Sequence, residues 1–407
     1  MTIDYLALGE VLDPDEYVIC VYRVKSDLDI RTAGSRIAEE ESTGTWTHPT
    51  TLSDDIFRRY GAKVVEADGD LVTIGYPLVD FSGDIGGIPQ ILSIVAGNLF
   101  GLSSLKGVRL EDISLPRDLV ERYPGPRFGI QGLRDVLKRP EMPLVGTIVK
   151  PKIGLPPKEF AEYVYEAGSG GLTNSKDDET LVDQDFCPLE ERVSRVSEVL
   201  DLLEEEEHLM IHAHNITTSA HEILEAADLA LENGARQLMV DVLTVGFSGL
   251  QALAEDPSVD VPLHVHRAMH GALTRDPEHG ISMPVIAVLS RMAGGDALHV
   301  GTYGAGKMHG ENELLSRDKL VEDMHGLKPV MPVSSGGLHP GVVHQLMEKS
   351  GNDVQIQAGG GVAGHPDGIR AGARAMIQAV EAAYSGISAE EYAVDHLELR
   401  RALEMWM

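Results

Sequence analysis

The sequence predicts an α/β protein, a (β/α)8 TIM barrel preceded by a small α+β domain. From about residue 140, eight short apolar runs alternate with amphipathic stretches, at 144–149, 171–176, 208–213, 237–243, 262–266, 297–301, 329–334 and 354–358. Between most of them lie segments such as 188–204 and 218–233, whose apolar residues recur at helical spacing. Eight strand–helix units over roughly 250 residues point to a closed parallel barrel. A doubly wound open sheet is the competing architecture, weakened because no Gly-x-Gly-x-x-Gly follows the first run. The N-terminal part reads differently. Strand-like runs at 18–23 and 71–75 mix with helical segments at 31–40 and 86–97, and Pro124-Gly125-Pro126 marks a boundary. The expected domains are 1–125 (α+β), 126–390 (barrel) and 391–407 (a short C-terminal tail).

Composition narrows the function class. The 407 residues carry 64 Asp and Glu against 34 Lys and Arg, a formal net charge of −30. Such a surface repels nucleic acid and anionic membranes. No run of 18 apolar residues is present to span a bilayer, and no basic-then-apolar leader is visible, so a cytoplasmic protein is expected. Cys20 and Cys187 read as free thiols in a reducing compartment. Lysine is scarce, 12 against 22 arginines, which favours a halophile's solvated acidic surface over an ordinary acidic enzyme. The acid run Glu204–Glu207 reads as a solvated helix end.

The most informative stretch is Gly171-Leu-Thr-Asn-Ser-Lys-Asp-Asp-Glu179. Side chains at i and i+2 of a strand point the same way, so Lys176 and Asp178 converge, and Glu179 swings in as strand gives way to loop. A carboxylate pair suits a hard cation such as Mg2+. The lysine fits beside that metal only as a salt-bridge partner or as an anion made by CO2. Alone, the motif also reads as a solvated acidic loop.

Its company raises its weight, because catalytic groups of such barrels sit where strands end. The first end offers Lys150 and Lys152, and the third His212, His214 and Asn215. The fifth offers His264, His266, Arg267 and His270. The sixth offers His299, then a glycine-rich loop running from Gly301 to Lys307. The seventh offers Ser334-Ser335-Gly336-Gly337 and the eighth Gly359-Gly360-Gly361. Singly, such a His is usually a core residue and such a glycine pair a tight turn. Together they suggest glycine loops that take phosphate through backbone N–H groups, a second anion site at Arg267 and His299, and a mobile lid carrying Lys307. Two anion sites flanking a metal imply a bisphosphorylated substrate.

These residues resemble the large subunit of ribulose-1,5-bisphosphate carboxylase/oxygenase (RuBisCO). The likeness runs from about residue 18 to 385. It is carried by Glu40-Glu-Ser-Thr-Gly-Thr45-Trp46, Gly97-Asn98-Leu-Phe-Gly, Gly146-Thr-Ile-Val-Lys150-Pro-Lys152, Lys176-Asp-Asp178-Glu179 and His266-Arg267-Ala-Met-His270. It continues through His299-Val-Gly-Thr, Lys307, Ser335-Gly336-Gly337 and Gln357-Ala-Gly359-Gly360-Gly361. The resemblance implies a ferredoxin-like α+β domain before the barrel. It also implies that Lys176 is carbamylated by a non-substrate CO2, and that the carbamate, Asp178 and Glu179 hold Mg2+. Lys150 and Lys152 would supply a positive field that lowers the pKa of Lys176. Lys150 would move protons at the substrate, His266 and His299 would lie near the reacting carbons, and Lys307 would close over the incoming CO2. Thr45, Trp46, Gly337, Gly359 and Gly360 match one phosphate site, and Arg267 and His299 the other. Ser335, Gly336 and Gln357 are carried over as further substrate-binding residues.

The resemblance also implies partners. Glu40, Thr45, Trp46 and Asn98 reach the barrel mouth of a second subunit in that family. A homodimer with shared sites is therefore expected, or a ring of dimers, with no small subunit. The reactants would be ribulose 1,5-bisphosphate, CO2 and O2. The acid bias and short C-terminus look like the archaeal form III branch, whose role is salvage of nucleotide ribose from AMP or other nucleosides. Three departures stand out. Thr173 and Asn174 replace an Asp–hydrophobic pair, which would alter the surroundings of the metal, and His309 replaces a lid Glu. Two other readings compete: a RuBisCO-like enolase or isomerase of a related sugar phosphate, and a non-catalytic sugar-phosphate-binding protein.

Overall fold

The computed structural model describes residues 4–45, 47, 49–81, 85–307 and 312–407. Trp46 and His309 lie outside the described residues. In chain order the strands are β1 (Tyr17–Ser26), β2 (Lys63–Asp68), β3 (Leu71–Pro77), β4 (Leu105–Ser114), β5 (Leu144–Ile148), β6 (Asn174–Lys176) and β7 (Ile211–Asn215). They continue with β8 (Gln237–Asp241), β9 (Leu263–His266), β10 (Gly280–Ile281), β11 (Ala297–His299), β12 (Met331–Ser335) and β13 (Gln355–Gln357). The chain divides into two compact units.

The first unit holds residues 1–123 together with 269–292 and 324–326. Its sheet has the order β10-β4-β1-β3-β2. With helices Ile30–Glu40 and Gly87–Val95, strands β1 to β4 make the β-α-β-β-α-β pattern of a ferredoxin-like domain. Alternate residues of β1 (Val18, Cys20, Tyr22, Val24) are buried, as a strand with one face on a core requires. Helix Ile30–Glu40 begins at Asp29, whose carboxylate accepts the Thr32 N–H. Strands β2 and β4 were not among the runs legible in the sequence. In β2 only Val64 is fully covered, so its apolar signal is weak.

The second unit holds 124–268, 293–323 and 327–407. Its eight strands close into a parallel barrel in the order β11-β12-β13-β5-β6-β7-β8-β9, so the barrel expectation is borne out. Strands β5 to β8 are buried at every position, as a sheet covered on both faces must be. At the N-terminal end of the strands, Ile130, Leu133 and Leu137 of helix Gly129–Leu137 pack with Leu144, Ile211, Ala297, Met331 and Val333. Asp296 anchors that helix, because one of its oxygens accepts the Phe128 and Gly129 N–H groups and the other accepts Leu263 N–H. The segment after 390 is no loose tail. Helix Leu397–Trp406 packs on helix Ile369–Tyr384, where Gln378 bonds both Glu398 and the Leu399 N–H.

Candidate active site at the C-terminal end of the barrel

Strand β6 ends at Lys176, whose register places Ile148 of β5 on one side and Ala213 of β7 on the other. Lys176 is 1% exposed. Its ammonium donates to the Asp177 carbonyl at 2.8 Å and touches Met239 Sδ at 3.5 Å. Burial pulls its pKa below the ordinary lysine value, against the opposing pull of Glu179, Asp178 and Asp241. Lys150 adds only a minor push in the same direction, so burial, more than neighbouring lysines, is what depresses it.

The two following carboxylates face those lysines instead. Lys150 Nζ lies 2.6 Å from Asp178 Oδ2. Lys152 Nζ lies 3.1 Å from Glu179 Oε1 and 3.7 Å from Asp178 Oδ1. One ammonium therefore sits between both carboxylates, which shows that Asp178 and Glu179 can converge on a single cation. Burial alone would raise the Glu179 pKa, but His266 and Lys176 outweigh it and pull it down.

His266 and His299 come from β9 and β11. His266 Nδ1 is 2.5 Å from Asp241 Oδ1, and its Nε2 is 3.8 Å from Glu179 Oε2. His299 Nδ1 is 2.7 Å from Ser335 Oγ, and its Nε2 is 2.8 Å from His264 Nε2. The His266 and His299 rings stand edge to face, with centroids 4.6 Å apart. Burial lowers the pKa of both, with Lys176 adding to the effect on His266 and His266 to the effect on His299, so both are neutral near pH 7. Arg267 is 6% exposed and lies within electrostatic reach of His299.

The glycine loops close the remaining side. Lys307 is exposed, and its N–H donates to the Gly336 carbonyl at 3.0 Å. Gly337 has φ +81°, and a Cβ there would meet Lys307 Cγ at 2.8 Å, so the loop carrying Lys307 lies directly on the β12 loop. A Cβ on Gly359 would meet Lys150 Cε at 2.9 Å, while Gly360 faces open space. Gln357 is 1% exposed, and its amide faces Gly146 and Asn174 inside the barrel, so it does not reach solvent. Glu40, Thr45 and Asn98 belong to the first unit, where Asn98 Nδ2 donates to Glu40 Oε1 at 3.3 Å. Glu41 accepts the Asn98 and Gly97 N–H groups and so fixes that loop.

Two strand-end histidines point elsewhere. His212 stands opposite Ser175, so it shares that residue's outward face, and its ring packs edge-on against Phe160. Its nitrogens lie 2.6 Å from Ser175 Oγ and 2.9 Å from Asp177 Oδ1. Asp177, His212 and His214 bring potential ligand atoms within 4.8 Å of one another. Yet Asp177 Oδ2 already holds the Arg192 guanidinium at 3.2 and 3.1 Å and the Asn215 N–H at 2.8 Å. With that charge neutralised and both His212 nitrogens committed, the cluster reads as a buried structural network. Thr173 is likewise structural, since its hydroxyl bonds the Val145 N–H and carbonyl.

Asp241, Asp177 and Arg192 were not picked out from the sequence as site residues, and His264 was read as one of the groups at the fifth strand end without a role of its own. Asp241 carried a usable signal, a carboxylate within the fourth apolar run, 237–243. Arg192 carried none, because it lies in a helix whose sequence is ordinarily amphipathic.

The described residues contain no helix long and apolar enough to cross a membrane. Residues 129–406 match the model of the ribulose bisphosphate carboxylase large chain catalytic domain, and residues 9–119 match that of its N-terminal domain. A ribulose bisphosphate carboxylase of Methanocaldococcus jannaschii is 42% identical, covering 99% of this chain and 100% of the relative. That of Pyrococcus furiosus is 40% identical over 99% and 97%. Among solved structures, the octameric RuBisCO of Pyrococcus horikoshii superposes with a TM-score of 0.92 at 38% identity, covering 99% of this chain and 96% of that one. The dimeric archaeal RuBisCO of Hyperthermus butylicus does so with 0.89 at 38%, covering 99% and 98%. With both domain models matched in order and relatives alike from end to end, the chain belongs to the ribulose bisphosphate carboxylase large chain family.

Proposed function

We propose that this chain carboxylates ribulose 1,5-bisphosphate to two molecules of 3-phosphoglycerate, and oxygenates it in competition. The observation that carries the reading is a buried lysine with a depressed pKa beside a carboxylate pair already gathered around a cation. Carbamylation needs the neutral amine, which is rare at pH 7 for a lysine near pKa ~10.4. At Lys176 the new N–C bond to CO2 releases a proton and leaves an anion facing Asp178 and Glu179. Those three groups would hold Mg2+, with Lys150 and Lys152 moving off the carboxylates. When bound, the metal supplies Lewis-acid stabilisation of negative charge developing on substrate oxygens.

The remaining groups divide the work. Asp241 fixes the His266 ring through Nδ1 and leaves Nε2 toward the carboxylate pair. Held neutral with Nε2 open, His266 serves as the proton acceptor near the reacting carbons, and His299 lies beside it with both nitrogens engaged by His264 and Ser335. Lys150, freed from Asp178, moves protons at the substrate. Lys307 places its charge against the incoming carboxylate. Gly336, Gly337, Gly359 and Gly360 offer backbone N–H groups to one phosphate, and Arg267, beside His299, supplies the positive charge that receives the other. Glu40, Thr45, Trp46 and Asn98 act on the site of a second subunit, which makes the working unit a homodimer or a ring of dimers. The metabolic setting is ribose salvage from AMP or other nucleosides in a salt-rich cytoplasm.

The test is fixation of labelled bicarbonate. Protein in molar KCl is preincubated with Mg2+ and label, then given ribulose 1,5-bisphosphate, beside Lys176→Ala. Labelled 3-phosphoglycerate from the parent and none from the variant is expected. A folded, metal-loaded parent that fixes no label would move the assignment to an enolase or isomerase on this scaffold.

A further inference from the structure

Behind the histidine that contacts Ser335 lies a second one. His264 is 0% exposed, its Nε2 is 2.8 Å from His299 Nε2, and its Nδ1 is buried without a hydrogen-bond partner. We propose that His264 is a positioning residue that selects the tautomer of His299 and thereby turns the Ser335 hydroxyl into a donor toward an anionic substrate oxygen. The proposal deepens the carboxylase reading and rests on it for its kinetic arm alone.

Two proton arrangements fit a neutral pair. In one, His264 carries its proton on Nε2 and donates to His299 Nε2. His299 is then protonated on Nδ1 and donates to Ser335 Oγ, 2.7 Å away. His264 Nδ1 is left as a bare lone pair. In the other, His299 Nε2–H donates to His264, whose own proton moves to Nδ1. That Nδ1–H is then buried with no acceptor. An orphaned buried N–H is the rarer and costlier defect, whereas a lone pair without a donor is better tolerated. The structure therefore selects the first arrangement.

The choice matters at Ser335. Its hydroxyl has one proton to give. In the selected tautomer the oxygen accepts from His299, and the proton is free to point away from it at the partly exposed end of β12. In the other tautomer the proton is spent on His299 and a lone pair meets the anion. A hydrogen bond to a charged group is worth enough to change affinity about tenfold or more.

Neutron diffraction of the perdeuterated parent, near neutral pH, is expected to show deuterium on His264 Nε2 and on His299 Nδ1. Deuterium on His299 Nε2 would overturn the proposal, whatever reaction the protein performs. The kinetic arm compares His264→Leu with His264→Gln, after circular dichroism shows that each is folded. The glutamine amide can still donate to His299 Nε2, whereas leucine cannot. His264→Leu is expected to raise KM for ribulose 1,5-bisphosphate about tenfold with kcat changed less than about threefold, and His264→Gln to regain most of that loss. Equal impairment of the two folded variants would also overturn the proposal. A parent without carboxylase activity sinks the functional reading instead and leaves the neutron result to decide the tautomer.

Discussion

Removing the Asp177 carboxylate should unfold this protein far more readily than removing any carboxylate on its acidic surface. Asp177 and Arg192 are both 0% exposed. The carboxylate accepts four hydrogen bonds, two from Arg192, one from the Asn215 N–H and one shared with His212. Burial would raise its pKa, but Arg192 and His212 outweigh that and hold it well below the usual range. In Asp177→Ala the guanidinium stays buried with only carbonyls such as those of Val182 and Cys187 around it. Breaking a buried pair in this way costs about 3–5 kcal/mol. Arg192→Met should cost a similar amount. The double variant removes both charges at once and should fall short of the sum of the singles by at least ~2 kcal/mol. Urea unfolding followed by circular dichroism, at one protein concentration, reads these values from midpoint and slope. Single losses under ~1 kcal/mol, or additive losses, would refute the account. The same assay with Zn2+ or a chelator should leave the midpoint unmoved. A zinc-dependent rise would instead reveal a metal centre at Asp177, His212 and His214.

Three further predictions follow from particular contacts. Gly146→Ala would set a Cβ 2.5 Å from Asn174 Oδ1 and 2.6 Å from its carbonyl, and should cost about 1–3 kcal/mol in thermal unfolding; an unchanged melting temperature would contradict the packing. Gly337→Ala meets both a positive φ and the Lys307 side chain, so carboxylation should fall at least tenfold while the barrel stays folded; full activity would mean the Lys307 loop need not dock there. His214, His264 and His299 are held well below the ordinary histidine value, mainly by burial. Their folded pKa values lie below the unfolded ones, so their contribution is complete above pH ~6.5 and is lost as pH falls toward the folded values, at up to about 1.4 kcal/mol per pH unit for each. Stability that is flat from pH 7 to 5 would contradict that burial.

The family and the barrel were legible in the sequence because both rest on local signals. A buried parallel strand reads as an apolar run and a covering helix as a 3.6-residue repeat, so eight alternations reveal the barrel before any contact is known. Strand boundaries were less legible. The run at 208–213 proved to be a strand at 211–215, because polar His214 and Asn215 are buried as fully as the apolar residues before them. Strand ends located Lys150, Lys176, His266 and His299 for the same local reason, since in this fold the end of a strand sets the face on which the next residues lie. Side-chain partners were beyond reach. Nothing in the order of residues says that Lys152, rather than Lys176, sits between Asp178 and Glu179, or that His212 turns away to join Asp177 and Arg192. Nor does it say that burial, more than neighbouring lysines, depresses the Lys176 pKa. Those facts depend on which residues the closed barrel brings within a few ångströms across β5 to β9, and on how much water it excludes. The sequence by itself determined the fold, the family and which residues stand at the ends of the barrel strands, whereas only the tertiary structure decided which charges meet and which are desolvated.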